Sequence, residues 1–196
     1  MGVADGTIGL LADKFGAPFN QMPTEMFWHC RGGYGWGAMC GAIPPATCML
    51  GMADPTDTQM ELTDELMSWY QQHPFPETQF GAELPTKVIN STLCHVSVTT
   101  WMQEAGVDDR GAPERSDRCA GVSADTAKKA IELLNARIEG VFEREYDKPA
   151  TDVAADCTAC HDSGDPDMHG GYPAHGSEDC TECHTDKWKD YTVDHP

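Results

Sequence analysis

No run of about 18 apolar residues occurs anywhere in the 196-residue chain, which removes a membrane-spanning helix. Basic side chains are scarce: 13 Lys and Arg stand against 32 Asp and Glu, a formal charge of −19 with histidine neutral. Proteins bind phosphate backbones through clustered cations that release counterions, so this balance excludes nucleic acid as a partner and disfavours anionic membrane surfaces. No Gly-x-Ser-x-Gly elbow is present, and the acidic residues are scattered as a solvated surface, so serine-hydrolase chemistry has no footing. Apolar material, however, is not lacking. With 40% hydrophobic residues and 5 Trp, the chain is too apolar for a disordered acidic tail. Its length suits one good core, or one core with a small appended module.

The 9 cysteines fall at 30, 40, 48, 94, 119, 157, 160, 180 and 183. The last four form two identical patterns, Cys157-Thr-Ala-Cys160-His161 and Cys180-Thr-Glu-Cys183-His184. In a c-type haem site two thiols add to the vinyl groups as thioethers, and the histidine that follows lies against the haem face and ligates iron. The C-x2-C-x19-C-x2-C spacing also fits a four-cysteine zinc site. Three features favour haem. A histidine follows each pair, the intervening segment lacks the alternating strands of a zinc ribbon, and His169 and His175 would be idle beside zinc. The expectation is therefore two covalently bound haem c groups, with His161 and His184 as proximal ligands.

A segment too polar to build its own core can fold around two large apolar haems, which suits the Gly-, Pro- and Asp-rich residues 150–196. For the distal ligands, His169 and His175 are the best candidates because flanking glycines let the backbone bring them over a haem. Met168 is the rival and would raise the potential. His29, His73, His95 and His195 are further alternatives, including across a subunit interface. Met1-Gly-Val-Ala-Asp-Gly-Thr has neither a basic n-region nor an apolar h-region. Because thioether attachment takes place outside the cytoplasm, a periplasmic chain with its signal already removed is expected.

Five cysteines remain: Cys30, Cys40, Cys48, Cys94 and Cys119. An odd number cannot form a complete intramolecular disulfide set. Two readings stay open, namely buried free thiols with one or two disulfides, or thiolate ligation of an iron–sulfur cluster. The run Cys30-Arg-Gly-Gly-Tyr-Gly-Trp-Gly-Ala-Met-Cys40-Gly-Ala is a glycine-rich loop leading into Cys40, able to expose N–H groups and approach a bound group closely. No P-loop Lys-Ser/Thr follows, so nucleotide binding is weakly supported. Apolar periodicity predicts a mainly α fold with helices over 3–15, 43–52, 60–72, 86–105 and 125–146, the last capped by Ser123 or Asp125. Segments 53–60, 73–86 and 106–118 read as loops. The boundary falls near Pro149, giving a helical domain at 1–149 and a dihaem module at 150–196.

The glycine run Gly32 to Gly37, the triplet Cys40-Gly41-Ala42, and Cys94 and Cys119 associated with helices resemble the helical cysteine-motif family written C–GCAxxG–C–C. With the two CxxCH motifs added, most of the chain resembles the split-Soret cytochromes c, dihaem proteins of sulfate-reducing bacteria. The order here is Cys-Gly-Ala where the family has Gly-Cys-Ala, and no cysteine precedes Cys30 to match the family's first. The resemblance implies a homodimer with four haems gathered at one end and bis-His ligation that can cross the dimer. It also implies an unusual [2Fe–2S] centre held by Cys40, Cys94 and Cys119, with Cys30, Cys48 or a non-cysteine group as fourth ligand.

Electron transfer is the leading function, since closely spaced haems pass electrons by short steps and bis-His iron has no open position. The alternatives are an oxidoreductase using an open iron site, or a subunit of a conductive cytochrome assembly. The acidic surface should attract a basic redox partner such as a Lys-rich cytochrome.

Overall fold

The computed structural model describes residues 2–54, 59–81 and 83–147. The chain divides into two units, Met1–Tyr146 and Asp147–Pro196, and the architecture below is that of the first. The haem-motif residues Cys157, Cys160, His161, Cys180, Cys183 and His184, with His169 and His175, lie outside the described residues.

The first helical stretch joins α1 (Gly2–Ala4), a π-helical turn (Asp5–Gly9) and α2 (Leu10–Phe15), ended by Gly16 at φ 69°. Two 3-10 segments follow, Phe19–Gln21 and Thr24–Cys30, and then the glycine loop with the short α3 (Gly32–Gly35). The longer helices are α4 (Ile43–Ala53), α5 (Gln59–Gln72), α6 (Cys94–Ala105) and α7 (Pro113–Glu139). Prolines in the first turns of α4 and α7 are tolerated because their missing N–H would be unpaired there anyway. Left-handed Gly106 and Gly140 end α6 and α7 without the Cβ clash another residue would meet.

Helices α4, α5 and α7 pack on one another, and α1 packs on α4 and α7. Their shared core holds Ile8, Ile43, Met49, Leu50, Leu62, Leu66, Trp69, Tyr70, Phe75, Val122, Ala130 and Leu133. Burying each such aliphatic side chain stabilises by about 1.5–3 kcal/mol. A smaller cluster of Leu84, Ile89, Val96 and Trp101 sits beneath α6, with the Trp101 indole donating to the Pro85 carbonyl at 2.8 Å. The fold is mainly α as expected. Among the described residues the only β pairing is two isolated bridges, Met39 with Leu93 and Phe75 with Lys87.

The expected helix at 86–105 forms only from Cys94, because residues before it pair laterally instead, as in the Phe75–Lys87 and Met39–Leu93 bridges. Helix α7 begins at Pro113 rather than near Asp125 and stops at Glu139. Asp125 is not its cap. Its buried carboxylate accepts the Glu77 N–H at 2.8 Å and the Thr78 N–H at 3.0 Å, pinning the neighbouring loop to mid-helix. The inward face of α7 consequently includes Arg118, Gly121, Asp125 and Thr126, whereas Ile131 and Ile138 from the expected stripe are exposed.

Candidate metal centre

The glycine loop is stitched to the start of α6. Cys40 N–H donates to Thr92 O at 2.8 Å and Cys94 N–H to Ala38 O at 2.7 Å, on either side of the Met39–Leu93 bridge. His95 N–H also donates to Gly37 O at 3.1 Å. These bonds bring Cys40 and Cys94, far apart in sequence, to one place. The glycines make that approach possible. A Cβ on Gly32, at φ 57°, would stand 2.9 Å from the Cys94 Sγ, and one on Gly37, at φ 78°, would stand 2.9 Å from His95 Cβ. A Cβ on Gly41 would stand 2.5 Å from the Cys30 carbonyl oxygen. The loop therefore closes on the first turn of α6. Its N–H groups are partly used internally, Ala38 to Gly32 O at 3.2 Å and Gly35 to Arg31 O at 3.0 Å.

Cys119 enters the same neighbourhood from α7. Burial pushes the Cys94 thiol from 9.0 to about 11, with the nearby Cys40 and Cys119 adding to the shift and Arg118 opposing it. Burial likewise raises Cys40, where Tyr70, Arg118 and Cys119 are the neighbouring side chains. Cys40 is partly buried as a residue, and its sulfur has Tyr70, Arg118 and Cys119 around it. The Tyr70 hydroxyl lies in range of Cys40 and Ser97, yet it makes no well-formed hydrogen bond to either. Burial, and then Cys40, pushes its pKa well above the usual tyrosine value.

Arg118 is the cation of this site, and its side chain is fully buried. Nη2 donates to Ser97 Oγ at 2.7 Å, and the guanidinium carbon lies 6.0 Å from the centre of the Trp101 ring. Nε and Nη1 are buried with no hydrogen-bond partner, and none of the ion pairs among the described residues includes Arg118. Arginine keeps its charge in proteins, so the pocket combines a buried cation with three thiols. Binding a thiophilic metal removes the thiol protons and leaves thiolates. Three soft donors and two spare N–H donors therefore suit an anionic iron–thiolate group.

Of the expected ligands, Cys40, Cys94 and Cys119 come together. Cys30 ends the Thr24–Cys30 segment and has Cys48 of α4 as its electrostatic neighbour. Among the described residues, no three His, Cys, Asp or Glu side chains already stand at the spacing that holds a single metal ion. His29 and His95 are exposed, and His29 lies against Tyr34 with ring centres 5.3 Å apart. His73 is packed between Trp69 and Phe75, where burial lowers its pKa. Sequence reasoning missed Arg118, Tyr70 and Ser97. The one available signal was an arginine directly before Cys119, and on its own that reads as a solvated charge. No helix among the described residues is long and apolar enough to cross a membrane.

Residues 3–133 match the family model described as "Putative redox-active protein (C_GCAxxG_C_C)". Split-Soret cytochrome c from Desulfovibrio desulfuricans is 31% identical over 199 residues, spanning 96% of this chain and 70% of that protein. The solved structure of the split-Soret cytochrome c from Desulfovibrio desulfuricans ATCC 27774, reported for a novel iron centre, aligns with a TM-score of 0.80 at 30% identity. That alignment covers 99% of this chain and 83% of the solved one.

Proposed function

The chain belongs to the redox-active C_GCAxxG_C_C cysteine-motif family, and from that premise we propose that it is a periplasmic electron-transfer protein of the split-Soret cytochrome type. In this reading residues 150–196 carry two covalent haem c groups, with thioethers at Cys157 and Cys160 and at Cys180 and Cys183. His161 and His184 are the proximal ligands, and His169 and His175 the distal ones. The helical unit holds a [2Fe–2S] or related iron–sulfur centre on Cys40, Cys94 and Cys119. The protein works as a homodimer.

The observation that carries the iron centre is the meeting of three thiols from three separate elements beside a buried, half-satisfied arginine. Iron–sulfur clusters take cysteine thiolate ligands, and their potential depends on hydrogen bonds to sulfur, net charge and exposure. The thiols are near enough to perturb one another. An iron–sulfur centre supplies one-electron storage. Cys40, Cys94 and Cys119 would hold it, with Tyr70, Ser97 and Arg118 as the neighbouring side chains.

Haem, non-haem iron, zinc and acid-labile sulfide per chain, read with the absorption spectrum, test the proposal. Two haems and a sulfide-bearing non-haem centre are expected. In Cys94→Ser and Cys119→Ser the non-haem iron should be lost while both haems stay. Zinc in place of haem would reject the haem assignment, and unchanged non-haem iron in both variants would reject the ligand set.

A further inference from the structure

A fully buried arginine needs a counter-charge, because an ionised group removed from water is strongly penalised unless it is paired and hydrogen-bonded. Among the described residues Arg118 has one hydrogen-bonding partner, the Ser97 hydroxyl at 2.7 Å, and that partner is neutral. The Trp101 face adds a weak cation–π contact at 6.0 Å. Nε and Nη1 are left over, buried and unbonded. Elsewhere in this unit buried charges are well supplied. Glu65, fully buried, accepts the N–H groups of Glu145 and Tyr146 at 3.2 and 3.3 Å and faces Arg144 at 3.7 Å. Asp125 is likewise saturated by Glu77 and Thr78. The deficit at Arg118 is therefore specific to the thiol pocket.

We propose that Arg118 is the electrostatic and hydrogen-bonding partner of the iron centre, donating from Nε and Nη1 to its sulfur once Cys40, Cys94 and Cys119 bind iron as thiolates. The inference deepens the iron-centre reading and rests on it. Ser97 and Trp101 are positioning residues that fix the guanidinium plane, leaving the two free donors for the centre. Two effects follow. The fixed cation favours the state carrying one more electron, so it raises the reduction potential. It also stabilises the bound thiolate form, so it slows loss of iron.

The test uses the full-length, loaded protein with Arg118→Met, which keeps the bulk and removes charge and donors, and Arg118→Lys, which keeps the charge without the fork. Haem and non-haem iron are counted, the potential of the non-haem centre is followed by EPR-monitored titration at one fixed pH, and iron release to a chelator is timed. In Arg118→Met both haems should remain, the potential should fall, and iron should leave about tenfold faster or more. Arg118→Lys should recover part of both losses. Variants that carry iron with unaltered potential and release rate would overturn the role of Arg118 while leaving the iron centre standing. Wild-type protein without non-haem iron would overturn both. Equal loss of haem and iron in the Met and Lys variants would assign Arg118 to the fold alone and so overturn the proposal.

Discussion

At Cys94, burial and the adjacent Cys40 and Cys119 thiols move the pKa from 9.0 to about 11, so the neutral thiol is the form this pocket accommodates. In the unfolded chain the same thiol ionises near 9.0. Its contribution to stability in iron-free protein is therefore complete below pH 9 and disappears as pH rises through about 11, because over that range the folded state binds more protons than the unfolded one. Melting curves of iron-free protein across that interval should decline more steeply for wild type than for Cys94→Ala. Parallel declines would mean that the thiol is solvated as in an open chain. Iron loading works against the same proton, so the pocket that protects a thiol from ionising makes metal uptake a proton-releasing step. In the sequence, spacing alone left these cysteines open between free thiols and metal ligands, and the family resemblance singled out Cys40, Cys94 and Cys119. Arg118, Tyr70 and Ser97 were not legible there, since a buried polar residue looks like any surface one until its neighbours are known.

Helix α7 shows where periodicity informs and where it misleads. Helix α5 was readable almost to the residue, because Leu62, Leu66, Trp69 and Tyr70 form an unbroken apolar stripe that the core then buries. In α7 the first half of the buried face is Arg118, Gly121, Val122, Asp125 and Thr126, of which only Val122 is a sizeable apolar residue. A pattern search therefore starts the helix too late, near Asp125. The same search runs 86–105 as one helix because lateral pairing before Cys94 leaves no local mark. Gly121 is the close contact of this packing, since a Cβ there would meet the Thr78 carbonyl oxygen and stand 2.5 Å from Pro76 Cβ. Backbone and a proline ring cannot yield cheaply, so α7 or the 75–80 loop must shift. Gly121→Ala should destabilise the helical unit by about 1–3 kcal/mol, an overpacking cost that outweighs the helix propensity gained. Denaturant melts followed by helical circular dichroism measure it. A midpoint at or above wild type would show that the loop lifts away freely, and would take with it the idea that Asp125 anchors that loop.

Across the whole molecule, 32 acidic against 13 basic side chains leave −19, and the negative haem propionates would add to it. A net charge of that size does nothing to specify a fold, and it sets which partners meet the protein quickly. Lys87, Lys129, Arg137 and Arg144 are already engaged with Glu104, Glu145, Glu61 and Glu65, so much of the scarce positive charge is neutralised locally. The long-range field is therefore that of an acid. Electron transfer between proteins needs fast, short-lived encounters, and complementary charge raises association rates about tenfold to a thousandfold while salt screens it. If the protein passes electrons to a Lys-rich cytochrome, stopped-flow rates at low ionic strength should fall by about tenfold or more as salt is raised to 0.3 M, because the Debye length then drops well below 10 Å. An acidic cytochrome of similar potential should react more slowly at low salt and speed up as salt is added. That opposite response separates charge steering from driving force, since the potentials of the two partners are matched and only the sign of their surfaces differs. A rate that ignores salt with both partners would leave the acidic surface to solubility, and would move the search for the docking face to uncharged ground.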